Sequence, residues 1–375
     1  MSVQNISTCV ANNAALADFK SWAKAISDWM ASIGWVQTND TGQVVWTATV
    51  LTCTQVAMSG TTATISYSSF TGPAPRVGMS VTFSGFTNGG NNAALTLTVV
   101  SGGSSGTVQA VNASGVNETH SGSGTTTALA SPPGTSTLTA YELWASADAL
   151  SSTLPIIVKF EYGTSSTTAA VQFAFSAGTG SNGSGTLTGN VSTRYVTASN
   201  VAGTAGLGLT SLFAGDTSRF AILMFLNAGS TSNGFFCAIE RSHDSSGADT
   251  DSYFNFVHMQ NSTGAHNWIQ QIVQKPILGG TLTAETNIVT ALTTLSSGVV
   301  GTNIALGPMF PVIGKLDNPC MAVAFSKTGD IVEGATVIVP YYGTNHTMYC
   351  TKFNTCWTSA PGTASAVNGF LFRYE

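Results

Sequence analysis

Val77-Gly78-Met79-Ser80-Val81-Thr82-Phe83-Ser84-Gly85-Phe86-Thr87-Asn88-Gly89-Gly90-Asn91-Asn92 is the stretch on which the fold turns. Val77, Met79, Val81 and Phe83 alternate with small or polar residues, the period of two that marks a half-buried strand. The glycines and asparagines that follow tolerate positive φ and make a tight, self-bonded turn.

The same grammar recurs along the chain. Runs rich in β-branched and aromatic residues read as strands at Gln43–Val50, Thr62–Ser68, Ser80–Phe83, Leu95–Val100, Leu138–Trp144, Ile156–Tyr162, Ala169–Phe175 and Ser192–Ala198. Others follow at Arg219–Asn227, Gly234–Arg241, Tyr253–His258, Ile269–Gln274, Met321–Phe325, Thr336–Pro340, Thr347–Phe353 and Gly369–Tyr374. Gly, Asn, Ser or Pro clusters separate most of them, as in sandwiches and barrels. The run Gly178-Thr179-Gly180-Ser181-Asn182-Gly183-Ser184-Gly185 reads as a long mobile hairpin or a linker.

One segment breaks the β rhythm. From Asn12 or Asn13, Leu16, Phe19, Ala23, Ile26, Met30 and Ile33 follow at alternating spacings of three and four, and Trp22 and Trp29 widen the stripe. Asn13 suits an N-cap, and Gly34 suits the left-handed residue beyond the last turn. The face made by Leu16, Phe19, Trp22, Ile26, Trp29, Met30 and Ile33 has two uses. It can lie across the chain's own sheet, or serve assembly by packing on a neighbouring subunit.

Between about 51 and 127 the texture changes: Trp disappears, charge nearly disappears, and both ends dissolve into Ser, Thr and Gly. The expected class is therefore mainly β: a β-sandwich host with a short N-terminal α-helix and an inserted small sandwich or barrel-like domain. Residues 1–50 hold the helix and first host strand, 51–127 the inserted domain, and 128–375 the rest of the host. A separate C-terminal β region from about 300 stays open. Exposed loops accept such insertions because the host backbone keeps its hydrogen bonds.

Composition narrows the function. Only 8% of the residues are charged, about a third of the density of an ordinary soluble domain. Such a chain must hide apolar surface by folding and by assembly, which points to building rather than to chemistry. The basic residues are scattered, so a nucleic-acid groove is not expected. The longest apolar run, Phe220–Leu226, is far short of the ~20 residues that span a bilayer, and membrane insertion is not expected either. Residues 1–15 lack a basic start followed by an apolar core, so export through a signal peptide is not expected. Six cysteines at wide spacings give no framework; Cys350 and Cys356 could pair across a hairpin, or remain buried thiols. No cofactor is implied.

Two groups of residues carry a resemblance. Val77–Asn92, with its Gly85-Phe86-Thr87-Asn88 and Asn91-Asn92, followed by Val116-Asn117-Glu118-Thr119-His120, resembles a small all-β module inserted into structural proteins of tailed bacteriophages. Tyr141–Trp144, Leu154–Gly163, Gly178–Gly189 and the ending Phe372-Arg373-Tyr374-Glu375 are similar to a family of tailed-phage virion proteins. The resemblance implies a virion component, assembled in the host cytoplasm, whose partners are copies of itself and other virion proteins. The resemblance does not say which part of the particle; the expected station is the tail or its distal apparatus. Capsid decoration and a receptor- or glycan-binding tail protein are the alternatives. It brings no catalytic motif, and an enzyme is not expected.

Three constellations remain. Asp244, Asp249 and Asp251, after Arg241-Ser242-His243, could offer oxygen ligands to calcium or form a solvated hairpin loop. Glu142, Asp148 and Glu161 could pair as glycosidase carboxyls or be buried structural partners of Lys159 or Arg194. Trp268, Tyr341, Tyr342 and Trp357 fall at or near expected loops, where flat rings could stack on a sugar; burial is the alternative.

Overall fold

The computed structural model describes residues 2–10, 25–38, 48–72, 74–75, 77–127, 140–164, 171–183, 185–198, 208–226, 234–262, 265–286, 306–308, 322–325, 336–341, 343–351 and 369–373. It is mainly β. The chain begins with β1 (Ser2–Val10), a helix α1 described over 25–32, and β2 (Val36–Gln37). Then come β3 (Val50–Ser59), β4 (Thr62–Thr71), β5 (Ser80–Ser84), β6 (Ala94–Gly102), β7 (Gly106–Val111) and β8 (Gly122–Thr126). The next group is β9 (Ala140–Ala145), β10 (Ile157–Thr164), β11 (Val171–Ser181), β12 (Leu187–Val191), β13 (Tyr195–Ala198), β14 (Gly208–Gly215) and β15 (Phe220–Leu226). It continues through β16 (Gly234–His243), β17 (Asp249–Ser262), β18 (Ala265–Gln274) and β19 (Thr281–Thr286). The last are β20 (Leu306–Pro308), β21 (Ala322–Phe325), β22 (Thr336–Tyr341), β23 (Thr344–Thr351) and β24 (Gly369–Arg373).

Strands β3 to β8 close into a barrel in the order β3-β4-β7-β6-β5-β8. Closure leaves no free edge, which a small module needs more than a large one. Leu51, Cys53, Ile65, Tyr67, Met79, Val81, Phe83, Phe86 and Val108 fill its interior. The glycines of β8 make room for the rings: a Cβ on Gly122 would lie 2.8 Å from Phe86, and one on Gly124 2.7 Å from Phe83. The barrel's first and last strands pair, Val50 with Thr125, and Thr49 and Thr126 bond backbone to backbone just outside. Entry and exit therefore lie side by side. Strand β2, before the barrel in sequence, pairs with β9, after it.

A seven-stranded sheet, β1-β14-β15-β16-β17-β18-β19, faces a second sheet, β12-β11-β10-β9-β2, with β13 also on β11. One core joins them. Phe160 and Phe175 of the second sheet stack at 5.3 Å, and Phe175 stacks on Phe256 of the first at 4.9 Å. Phe220 meets Phe160, Phe175, Trp29 and Trp35. The opposite face of the seven-stranded sheet is buried as well: Leu212, Ala214, Ala221, Ala238, Val257 and Ile272 are all at most 5% exposed. Strands buried on both faces read as unbroken apolar runs, as Phe220, Ala221 and Ile222 do. A third sheet has the order β20-β21-β24-β23-β22.

Helix α1 ends as its sequence requires. Gly34 has φ +90°, its N–H bonds Ala31 O at 3.1 Å, and Trp35 N–H reaches back to Met30 O at 3.1 Å. These are the two bonds of a Schellman cap. Ile26, Trp29, Met30 and Ile33 are buried in the chain's own core. The assembly role expected of these four is thereby corrected: Trp29 stacks on Phe213 at 4.9 Å, so this face is consumed within one chain. Leu16, Phe19 and Trp22 lie outside the described residues.

The run expected as a mobile hairpin or linker is a short, bonded hairpin between β11 and β12. Asn182 N–H bonds Thr186 O at 3.0 Å, Thr186 N–H bonds Asn182 Oδ1 at 3.1 Å, and Gly185 packs so closely on Tyr141 that a Cβ would sit 2.3 Å from its hydroxyl.

Candidate functional site

Among the described residues, a concentrated group of charged side chains lies at one end of the seven-stranded sheet. Strand alternation sends Ile239 and Arg241 of β16 towards the inter-sheet core and Glu240 to the other side. A bulge between Arg241 and His243 then re-aims His243, so that its Nε2 comes within 3.4 Å of Glu240 Oε1. Asp249, opposite His243 on β17, brings Oδ1 to 3.3 Å of the same nitrogen.

Arg219, at the end of the β14–β15 turn, closes the group. Its Nη2 donates to both oxygens of Asp249, at 3.0 and 3.2 Å. Its Nη1 lies 3.3 Å from Glu240 Oε1 and 3.4 Å from His243 Nε2, and its Nε is 3.3 Å from Asp216 Oδ2. The side chains of Glu240 and His243 are only 1% exposed. Burial opposes the charge on Asp249, yet the hydrogen bond from His243 and the charge of Arg219 outweigh it and hold its carboxyl below the usual 3.8.

The turn carrying Arg219 is tied in three further ways. Asp216 Oδ1 accepts from the backbone of Ser218 and Arg219, Trp35 Nε1 donates to Asp216 O at 2.7 Å, and Ala147 N–H bonds Thr217 O. Helix end, sheet corner and charge cluster therefore meet at residues 216–219.

The structure separates the three aspartates expected as calcium ligands. Asp244 organises its own loop, accepting from Ser246 and Ala248 backbone N–H. A hydrogen bond from the Ser246 hydroxyl, together with those backbone bonds, holds its carboxyl below 3.8. Asp249 belongs to Arg219 and His243, and Asp251 pairs with Lys275 Nζ at 2.7 Å. The three carboxyls thus have separate partners and do not converge on one site; among the described residues no group of three or more His, Cys, Asp or Glu is placed to hold a metal. His243 and Asp244 also turn to different partners.

The three carboxyls weighed as a glycosidase pair are likewise apart. Glu142 sits opposite Phe160 on the core face, whereas Glu161 sits opposite Tyr141 on the other face. No bond of a substrate can lie between them. Glu142 accepts from Ser27 Oγ at 2.6 Å, Gln37 Nε2 at 3.3 Å and Tyr162 OH at 3.2 Å. Burial first, and the Glu142 charge second, push the Tyr162 hydroxyl well above its usual range. Glu161 pairs with Arg194 Nε at 2.6 Å and Lys159 Nζ at 3.4 Å, the partners its sequence neighbourhood offered. Asp148 pairs with Arg241.

Of the candidate sugar platforms, Trp268 lies within β18, opposite Met259 and Thr286, not in a loop. Tyr341 ends β22 opposite Thr344, beside Gly343 at φ +72°. Tyr342, Trp357 and Cys356 lie outside the described residues. Cys53 and Cys237 are free and buried; burial pushes the Cys53 thiol up to about 12.

Residues 85–92 and 116–118 bond to one another within the barrel domain. Glu118 accepts from Thr87 N–H at 2.6 Å, Asn88 N–H at 3.1 Å and Asn91 Nδ2 at 2.7 Å. Asn91 also trades both amide bonds with the backbone of Val116, and Asn92 does the same with Phe86. Glu118 itself bridges to Val56 backbone to backbone. The motif is thus a knot that closes the module.

Sequence reading missed Asp216, Arg219 and Glu240. Their signal was scarcity: in a chain only 8% charged, a buried ion needs a partner, and each one marks a junction. Among the described residues no helix is long and apolar enough to cross a membrane. Comparison with protein-family models, curated proteins and solved structures finds no match to this chain.

Proposed function

We propose that this chain is a structural protein of a tailed-phage virion, acting in the tail or its distal apparatus as a homo-oligomer. One observation carries the reading. The residues that resemble the phage module, Gly85–Asn92 and Val116–Glu118, form a closed knot in a barrel whose two ends leave side by side. Such a barrel can be set into a host loop without disturbing it. The low charge supports the same reading, because bringing identical chains together then costs little repulsion or desolvation. The chain works by surface complementarity, with the barrel projecting outward from the assembled sandwich.

The test is immunogold electron microscopy of intact particles, with antibody raised against the barrel. Gold at the tail or its tip is the expected result. Gold spread over the head would replace the tail by capsid decoration. Particles that contain the protein by mass spectrometry yet take no label would overturn the outward-projecting barrel. Binding of the purified chain to whole host cells would move the assignment to a receptor-binding tail protein.

A further inference from the structure

We propose that His243 is a proton-operated switch that exchanges the partners of Arg219 and so fastens or loosens the turn at 216–219. The geometry is unusual in that one imidazole nitrogen meets three charged groups. Nε2 lies 3.3 Å from Asp249 Oδ1, 3.4 Å from Glu240 Oε1 and 3.4 Å from Arg219 Nη1. It cannot satisfy them all in one protonation state. When neutral at Nε2 it accepts from Arg219. When it takes a proton from solvent it becomes a donor to Glu240 or Asp249, and Arg219 passes fully to the carboxylates of Asp216 and Asp249.

The charges among the described residues favour the second state. Asp216 from the β14–β15 turn, Glu240 from β16 and Asp249 from β17 are three carboxylates. Arg219, from the turn, is the one guanidinium among them. A proton on His243 sets a cation beside Glu240 and Asp249, in a place where the side chains of Glu240 and His243 are only 1% exposed. The bonds of His243 to these carboxylates are then charge-assisted.

The exchange has somewhere to go. Arg219 shares its turn with Asp216, whose carbonyl takes the Trp35 indole bond, and with Thr217, which bonds Ala147. Proton uptake at His243 therefore tightens the junction of helix α1, the β9 side of the second sheet and the seven-stranded sheet. This is independent of where in a particle the chain sits.

The experiment is thermal unfolding of the full chain between about pH 5 and 8, the range in which histidine changes charge, for wild type, His243→Gln and His120→Gln. Wild type and His120→Gln are expected to lose stability in a step as pH rises, and His243→Gln to lose that step. A wild type with no step, or a His243→Gln protein that keeps it, overturns the proposal. Should His243→Gln not fold, histidine- and arginine-labelled wild type is followed by NMR over the same range. The His243 and Arg219 side-chain signals are expected to move together with one midpoint. A His243 signal that does not move, or moves without Arg219, overturns it equally.

Discussion

Arg241 Nη2 and Asp148 Oδ2 meet across 2.8 Å with the arginine side chain wholly buried, and the pair pins the seven-stranded sheet to the loop that follows β9. Arg241 Nη1 also donates to Leu154 O at 2.9 Å. Removing one partner of a buried pair strands the other, at a cost of about 3–5 kcal/mol. Asp148→Ala is therefore expected to lose that much by chemical unfolding. Adding Arg241→Met should not worsen it, since no orphaned guanidinium is left. A double variant much less stable than Asp148→Ala would show that Arg241 acts chiefly through Leu154.

Asn91 is buried and serves three partners, the N–H and C=O of Val116 and the carboxylate of Glu118. Asn91→Ala removes all these bonds and is expected to lower barrel stability, although Val116 and Glu118 can turn to water instead. Asn91→Asp should be worse, because its carboxylate would face both Val116 O and Glu118. Barrel unfolding followed through Tyr67 fluorescence and circular dichroism orders the two variants; an Asn91→Asp protein as stable as wild type would remove the knot from the account of the fold.

Much of this architecture could be read from local pattern, and the misses have physical causes. Strands with large alternating residues, such as β5 and β10, stood out. β8 did not, because Gly122 and Gly124 are small in order to receive Phe86 and Phe83, so their strand character lies in their neighbours. β3 carries Thr, Gln and Cys among its apolar residues and was lost at the edge of a change in texture. The helix face was legible, but not its destination: the same stripe suits a sheet or a subunit, and only Phe213 and Phe220 decide between them. The charge cluster was half visible, because β16 and β17 neighbours are near in sequence. Its keystone, Arg219, comes from a turn more than 20 residues away.

Gly34 separates backbone strain from steric contact. At φ +90° any L side chain is strained, and a Cβ there lies 2.7 Å from Thr217 Cγ2. Gly34→Ala is expected to cost about 1–2 kcal/mol from φ alone, with more from the methyl contact. Combining it with Thr217→Ser, which removes that methyl, should recover only the second part. Full recovery in thermal unfolding would mean that the left-handed cap contributes nothing.

The barrel encloses its own core and has paired ends, so a fragment of residues 48–127 is expected to fold by itself. Cooperative unfolding and dispersed amide signals would bear this out. A fragment that shows neither would mean that the barrel depends on its host.

Glu118 sets the acid limit of that barrel. Its modest burial works against ionisation, but the bonds from Asn91, Asn88 and Thr87 prevail and hold its carboxyl below the usual 4.5. A carboxyl depressed by folding contributes stability that is fully present above its unfolded value and is lost as pH falls through the folded one. Wild type should therefore exceed Glu118→Gln in barrel stability near neutral pH, where the carboxylate accepts from three donors and glutamine cannot. The gap should begin to close below about pH 4.5 and vanish once the folded carboxyl is protonated. This window lies well below the one expected of His243, so the two groups are distinguishable in a single pH series on the full chain. A gap that stays constant down to strong acid would mean that Glu118 acts by shape and not by charge.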